Sequence, residues 1–215
     1  MTGVTVRLRT GPALPDLFPS DEGELPVVDA AGDEGAWLTF PTGWHLREVL
    51  ELTQEAEARN LTDRGVGEDL RQWTHGGVPF ADSAAAGVPE YAFGPRRFGG
   101  RAPTRDFAGG RPVPGRAAAE FEQQPHLALL STARDRPEDW LRAGQAMERV
   151  LLLATLKGLS SSFVTQALEW PDLRWPLRDP VTGTGYVQMV LRLGYGPTGP
   201  ATPRRPLWDV LDLRP

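Results

Sequence analysis

Cysteine is absent from the 215-residue sequence, which excludes disulfides, thiolate catalysis and cysteine-based metal sites. The three histidines, His45, His75 and His126, stand far apart without HxxxH or HxH spacing, so a histidine-based metal site is not expected. The longest apolar run, Val150 to Thr155, is far too short to cross a bilayer, and the first residues lack the pattern of a signal peptide. The sequence therefore predicts a cytoplasmic protein with no metal site and no membrane partner.

Lysine is also scarce. Of the 23 basic residues only Lys157 is a lysine, and 28 acidic residues bring the net charge to −5. An acidic chain argues against general binding to DNA or RNA, which usually needs a basic face. The many arginines accompany abundant Ala, Gly and Pro, a composition that indicates a GC-rich coding genome. Codon bias alone is therefore one explanation for any single arginine.

Glycine and proline, in contrast, are abundant, with 24 Gly and 21 Pro in the chain. Residues 76–116 hold nine Gly, six Pro and six Arg against three acidic residues, with no hydrophobic periodicity. A loop of this length in a compact domain is usually functional or mobile. The segment is predicted to have little regular structure and to act as a lid or arm, or else as a disordered linker. We divide the chain into an N-terminal strand and flexible lead-in, 1–35, and a domain over 36–215.

The hydrophobic pattern predicts both strands and helices, because period-2 and period-3.6 segments both occur along the chain. The predicted strands are Val4–Leu8, Ala36–Phe40, His126–Ser131, Ser161–Val164 and Tyr186–Leu193. The predicted helices cover 45–60, 67–73 and 137–157, with a short helix or turn at 171–177. In the last strand, one face is predicted to hold Val187, Met189, Leu191 and Leu193.

The helix predicted at 137–157 has the clearest end signals. Asp135 with Glu138 fits an N-terminal capping box, Pro137 suits the first turn, and Gly158 is placed where a helix stops. Its predicted buried face consists of Trp140, Ala143, Met147, Val150, Leu151 and Ala154.

The C-terminal block resembles a known family. Its runs are AGQAMERVLL (143–152), GLSSSF (158–163), QALE (166–169), VQMVLRLGYG (187–196) and PRRPL (203–207). In this order they resemble the C-terminal half of Acg-like proteins in the nitroreductase superfamily: a long core helix, a glycine turn, a strand beside the flavin, a sheet strand and a basic tail. The resemblance covers roughly residues 36–215 and is strongest after 136.

The resemblance implies an α+β fold in the form of a single nitroreductase-like lobe, with a mixed or antiparallel sheet packed by helices around a long core helix. It also implies FMN bound at the interface between two such lobes. In typical nitroreductases the two lobes are two subunits, whereas in Acg-like proteins both lie on one longer chain. We therefore expect a homodimer, or a heterodimer with a second nitroreductase-like lobe, because a site built at a lobe interface needs both lobes.

The family's phosphate contacts correspond to four arginines. Arg101 and Arg105, followed by the aromatic Phe107, resemble the superfamily's opening basic signature, and Arg204 with Arg205 resembles its C-terminal cation pair. A phosphate monoester carries nearly two negative charges and is well held by planar, bidentate donors. The alternative is that these residues are surface arginines in loops.

The family's flavin-ring contacts correspond to the segment after Gly158. There the residues shortly past the glycine run along the isoalloxazine ring, and backbone groups reach toward N5 and the ring carbonyl. The matching positions are Phe163, Val164, Thr165 and Gln166. Fixed amide donors at such positions tune a flavin that accepts hydride. An ordinary core strand is the alternative.

One family segment is missing. Nitroreductases usually carry, after the basic signature, a segment whose Asn helps to hold the flavin, whereas Asn60, the one asparagine of this chain, precedes the signature. The departure leaves three functions open. The first is an FMN-dependent NAD(P)H oxidoreductase, in which NADH or NADPH reduces flavin N5 and an electron-poor small molecule takes the electrons, with no catalytic side chain assigned. The second is a non-catalytic lobe that sequesters FMN or covers a partner's flavin. The third is a flavin-free partner subunit of a biosynthetic enzyme.

Overall fold

The structure is a computed structural model that describes residues 6–7, 26–76, 87–179, 181, 183, 185–196, 199–202, 204–205, 207 and 210–211. The α-helices within these residues are α1 (Pro26–Gly32), α2 (Gly43–Thr62), α3 (Arg64–Trp73), α4 (Pro137–Leu156) and α5 (Pro171–Arg174). The strands are β1 (Val6–Arg7), β2 (Trp37–Thr39), β3 (Thr74–His75), β4 (Val88–Pro89), β5 (Arg96–Gly99), β6 (Ala118–Glu120), β7 (His126–Thr132), β8 (Ser160–Phe163) and β9 (Tyr186–Gly194). Short 3₁₀ turns cover Glu90–Ala92, Gln166–Glu169 and Trp175–Leu177. The predicted α+β class is confirmed.

The main sheet has the strand order β2-β7-β9-β8, and each neighbouring pair is antiparallel. The two long strands, β7 and β9, lie in the centre, and the short strands β2 and β8 form the edges. Shorter parallel pairings join β1, β6 and β5, and join β3 to β4. The sheet is therefore built on one long antiparallel pair.

Two buried clusters cover the main sheet, one on each face. On the α4 face, the cluster includes Val27 of α1 and Val150 of α4. On the α2 face, it includes Val49 of α2 and Ala167 of the 166–169 turn. Neighbouring residues of β7 alternate between the faces: Ala128 and Leu130 join the α4 cluster, and Leu127 and Leu129 join the α2 cluster. This alternation is the period of two expected of a strand.

An irregularity in β9 changes which face its side chains point to. Leu130 of β7 lies opposite Met189, but the next residue pairs with Val187, which leaves Gln188 as an extra residue. A bulge of this kind shifts the alternation by one. Val187 therefore packs in the α2 cluster, whereas Leu191 packs in the α4 cluster. The predicted single face for the apolar residues of this strand is wrong at Val187.

Helix α4 confirms the helix predicted at 137–157 and its glycine stop. Gly158 has φ +71°, a conformation that favours glycine, and Leu159 N–H donates to Ala154 O at 2.9 Å. The buried residues of the helix are Asp139, Ala143, Ala146, Val150 and Ala154. Trp140, predicted on this face, is instead 52% exposed.

The capping box predicted from Asp135 and Glu138 is wrong. The N-cap residue of α4 is Arg136, which makes no side-chain cap. Asp135 Oδ1 accepts hydrogen bonds from Trp140 Nε1 at 2.6 Å, Gln188 Nε2 at 3.1 Å and Arg174 Nη2 at 3.1 Å. These three donors replace the local cap, and the bond from Trp140 holds the indole ring at the exposed end of the helix.

The remaining elements follow the sequence pattern with a few additions. The helices predicted at 45–60 and 67–73 correspond to α2 and α3, and the segment 171–177 forms α5 and the turn after it. The strands predicted at 36–40, 126–131, 161–164 and 186–193 correspond to β2, β7, β8 and β9. Val4–Leu8 is described only at β1, and most of the lead-in lies outside the described residues, as does 77–86. Within the lead-in, α1 forms a helix that packs on α4. In the part of the chain that the structure describes, no helix is long and apolar enough to cross a membrane.

Asp135→Asn is expected to lower the free energy of unfolding by about 1–2 kcal/mol at pH 7. Burial alone would raise the pKa of Asp135, but hydrogen bonds from Trp140 and Gln188, and the charge and hydrogen bond of Arg174, outweigh burial and lower it. A carboxyl group whose folded pKa is lowered stabilises the fold above its unfolded value of about 4 and loses that effect as the pH falls. Urea unfolding at pH 7 and at pH 3 should therefore show a smaller difference between the two proteins at pH 3.

The control for Asp135→Asn is Glu148→Gln, which removes an exposed carboxylate from the middle of α4. That variant should unfold like the wild type at both pH values. A difference between wild type and Asp135→Asn that stays constant down to pH 3 would contradict the charge-assisted role of Asp135.

Candidate functional site

The segment predicted to line the flavin ring begins at the exposed edge of the main sheet. All four residues of β8 are exposed, and Phe163 is the last of them. Val164 then turns inward: its side chain is 1% exposed, and its N–H donates to Val190 O at 2.8 Å. The backbone donor of Val164 is thus used within the fold, and the sequence next reaches the 3₁₀ turn at Gln166–Glu169.

Thr165 and Gln166 lie at the start of that turn. Thr165 Oγ1 donates to Glu169 Oε1 at 3.0 Å, one turn further on. Gln166 is 1% exposed, and its Oε1 accepts no hydrogen bond from the residues that the structure describes. A buried amide oxygen without a donor is costly. This oxygen is therefore a place where the fold can accept one more polar partner.

Arg105 lies against the same turn although it is far away in the sequence. Its guanidinium donates from Nη2 to Glu169 Oε1, the oxygen that also accepts from Thr165. Two of the predicted cofactor contacts, Arg105 and Thr165, therefore meet at one atom. Glu169 ends the QALE run of the family resemblance, but it is not among the predicted cofactor contacts.

Hydrogen bonds of the next residue, Asp106, to α2 and to its own loop hold the segment around Arg105 in position. Asp106 N–H donates to Glu57 Oε1 at 3.2 Å, and the Asp106 carboxylate accepts from Arg116 Nη1 at 2.6 Å and from two backbone N–H groups. Burial alone would raise the pKa of Asp106, but Arg116 and the backbone donors outweigh it and lower that pKa. The carboxylate therefore stays ionised and fixes the loop.

A cleft of about 450 Å³ lies beside this loop. It is lined by Glu57, Asn60, Leu61, Thr62, Asp63, Arg64, Val66, Gly67, Glu68, Leu70, Arg71, Arg105, Asp106 and Gly109. The ends of α2 and α3 form one wall, and the loop forms the other. Arg105 thus both lines the cleft and contacts Glu169. The amide oxygen of Asn60 is used within the fold, because its Oδ1 accepts from Trp170 Nε1 at 3.0 Å.

The other predicted phosphate contacts lie in two further places. The backbone N–H of Arg101 donates to Glu122 O at 3.0 Å, and the Glu122 carboxylate binds Arg192 through two hydrogen bonds of 2.6 and 2.7 Å. Arg204 and Arg205 are exposed in the C-terminal tail. Convergence of the four arginines on one phosphate stays a prediction.

Comparison with known proteins gives similarity to nitroreductases. No protein-family model matches the chain. The protein named "Putative NAD(P)H nitroreductase Rv3131" of Mycobacterium tuberculosis is 32% identical over 214 residues, 96% of this chain and 60% of that protein. "Uncharacterized protein Rv3127" of the same organism is 28% identical over 200 residues, 89% of this chain and 55% of that protein. The chain thus spans only about 60% of the length of the first relative. The named relative supports the resemblance to the nitroreductase family.

Two solved structures show a partial similarity to the chain. A nitroreductase with bound FMN from Bacteroides fragilis has a TM-score of 0.46 and 13% identity, over 88% of this chain and 84% of that one. A nitroreductase-like family protein from Bacillus cereus has a TM-score of 0.46 and 12% identity, over 99% of this chain and 91% of that one.

Proposed function

We propose that the chain is an FMN-dependent NAD(P)H oxidoreductase of the nitroreductase superfamily, of the Acg-like kind. The observation that carries the proposal is 32% identity, over 96% of this chain, to a relative named as a NAD(P)H nitroreductase. In this proposal, NADH or NADPH gives hydride to the flavin and an electron-poor small molecule takes the electrons. The chain would work together with a second nitroreductase-like lobe.

The described residues fit a phosphate-bearing flavin at the turn after β8. Arg105 and Thr165 place a guanidinium and a hydroxyl against one shared oxygen, and such donors suit a phosphate oxygen. Arg101, Arg204 and Arg205 would add charge to the same group.

The ring end of the site would use Gly158, Val164 and Gln166. Thr165, which the resemblance places beside the ring, is proposed here as a phosphate donor instead. The buried side chain of Val164 would exclude water behind the flavin ring, and Gln166 Oε1 would accept a hydrogen bond. FMN, when bound, supplies the hydride chemistry, and the protein supplies binding, orientation and electrostatics.

The proposal is tested by purifying the protein with added FMN and recording its absorbance spectrum. Flavin bands that stay with the protein through gel filtration, and that bleach on anaerobic addition of NADH or NADPH, are the expected result. Retained flavin without bleaching would leave the FMN-sequestering or flavin-covering lobe as the function. A colourless protein after reconstitution would overturn the proposal in favour of a flavin-free subunit.

In solution, the flavin-loaded protein is expected to have at least twice the mass of one chain, since each chain is proposed to supply one lobe. The physical reason is that a site built at a lobe interface is incomplete in one lobe. Light scattering during gel filtration, with absorbance read at the flavin band and at 280 nm, measures the mass of the flavin-bearing species. A stable monomer with full flavin occupancy would contradict this.

A further inference from the structure

Glu169 occupies the donors that the proposed phosphate site offers. Its Oε1 accepts from both Arg105 Nη2 and Thr165 Oγ1. A carboxylate oxygen and a phosphate oxygen are both anionic acceptors that attract the same charge-assisted donors. The Glu169 carboxylate therefore stands where the oxygen of an external anion would be bound.

We propose that Glu169 is a displaceable internal anion that selects the ligand of this site. The inference rests on the proposed function, because the ligand it selects is the phosphate of the flavin. When a phosphate monoester binds, Glu169 leaves Arg105 and Thr165 and turns toward solvent. A neutral ligand such as riboflavin cannot displace it, and a weak monoanion has no advantage over it. The site thus takes phosphate monoesters in their dianionic form.

The surroundings of the pair make this exchange feasible. The side chains of Arg105 and Glu169 are 29% and 39% exposed, and ion pairs at such exposure contribute little to stability. A buried pair would be costly to break, since it would leave a charge without a partner. Glu169 ends a four-residue 3₁₀ turn, so its carboxylate can reach solvent without any change in the sheet.

The chain offers a matched control for a Glu169 variant. Asp172 lies three residues further on and accepts from Arg59 Nη1 at 3.0 and 2.8 Å. It is also exposed. Glu169→Gln and Asp172→Asn therefore each remove one charge and one exposed ion pair from the same region, and only the first frees Arg105.

The first measurement is the Kd of FMN and of riboflavin for wild type, Glu169→Gln and Asp172→Asn. Glu169→Gln is expected to bind FMN about threefold to tenfold more tightly than wild type, with riboflavin binding unchanged. Asp172→Asn should match wild type for both ligands. Unchanged or weaker FMN binding by Glu169→Gln would overturn the inference, and so would an equal gain in both variants, which would indicate a general effect of net charge.

The second measurement separates this inference from the proposed function, because its probe is inorganic phosphate. At constant ionic strength, phosphate should raise the Tm of Glu169→Gln more than that of wild type, and the added change Arg105→Gln should abolish the difference. If no protein binds flavin but phosphate behaves in this way, the proposed function fails and the anion site stands. An equal phosphate response in wild type and Glu169→Gln would overturn the anion site.

Discussion

Arg205→Ala is expected to weaken FMN binding by about tenfold to a hundredfold, since a charge-assisted hydrogen bond contributes roughly 1.5–3 kcal/mol. The reason is the match of Arg204 and Arg205 to the family's C-terminal cation pair over the flavin phosphate. The loss should be specific to the phosphate, so riboflavin binding should hardly change. Titration of both flavins, followed by quenching of flavin fluorescence, measures the two affinities on one preparation.

The control for Arg205→Ala is Arg47→Ala, which removes an exposed arginine from α2. This variant lowers the net charge by the same amount as Arg205→Ala. Arg47 belongs neither to the Arg101 and Arg105 signature nor to the C-terminal pair, so the variant should bind FMN like the wild type. Equal affinity of the wild type for FMN and riboflavin would mean that no phosphate site exists. The arginines would then be ordinary surface residues, and their number would reflect the codon bias of a GC-rich genome.

Gly100→Ala is expected to lower the free energy of unfolding by roughly 2–5 kcal/mol, the sum of a left-handed backbone penalty and a steric clash. Gly100 has φ +78°, and a Cβ placed there would lie 2.0 Å from Phe121 O and 2.5 Å from Phe121 C. Both contacts are with backbone, which cannot rotate away. The variant would also displace the next two residues, whose N–H groups both donate to Glu122 O. Urea unfolding followed by tryptophan fluorescence measures the loss.

Gly94→Ala separates the penalty of a left-handed backbone from the penalty of a steric clash. Gly94 has φ +70°, but a Cβ there would meet nothing within 4 Å. This variant should lower the free energy of unfolding only by the backbone penalty, about 1–2 kcal/mol. Equal losses in Gly94→Ala and Gly100→Ala would show that the close approach to Phe121 is relieved by a small movement of the chain.

The helices and central strands could be predicted because their signals are local. Helix α4 has a proline at its start, an apolar stripe along its length and a glycine after its end, and each of these acts within a few residues. The capping box failed for the opposite reason. Asp135 fits a local cap, but Arg174 and Gln188 lie 39 and 53 residues away and use the same carboxylate. Competition between local and distant partners is decided only by the fold.

The bulge in β9 could not be predicted from the hydrophobic pattern. Val187, Met189, Leu191 and Leu193 alternate in the sequence as the residues of a regular strand do. Gln188 fits that alternation as an ordinary polar residue, yet it is the extra residue of the bulge. Its Nε2 donates to Thr132 Oγ1 at 2.9 Å and to Asp135 Oδ1 at 3.1 Å. The polar contacts that accompany the irregularity come from other elements, so the pattern alone could not reveal it.

The candidate site was predictable only in part. Family resemblance led to Arg105 and Thr165, and the structure brings these two together. Their common partner, Glu169, lies 64 residues from Arg105. It ends the QALE run, but nothing in that run marks it as a partner of either residue. The contact between Asp106 and Glu57 was missed in the same way, because it joins residues 49 positions apart.

The central strands β7 and β9 belong to both buried clusters at once, which has a consequence for how the protein unfolds. If the α2 cluster came apart, one face of β7 and β9 would be exposed to water. The other face of the same strands holds the α4 cluster, so neither cluster can be lost while the other persists. We therefore expect the two halves of the core to melt as one cooperative unit. Fluorescence and far-UV circular dichroism should follow the same denaturation curve.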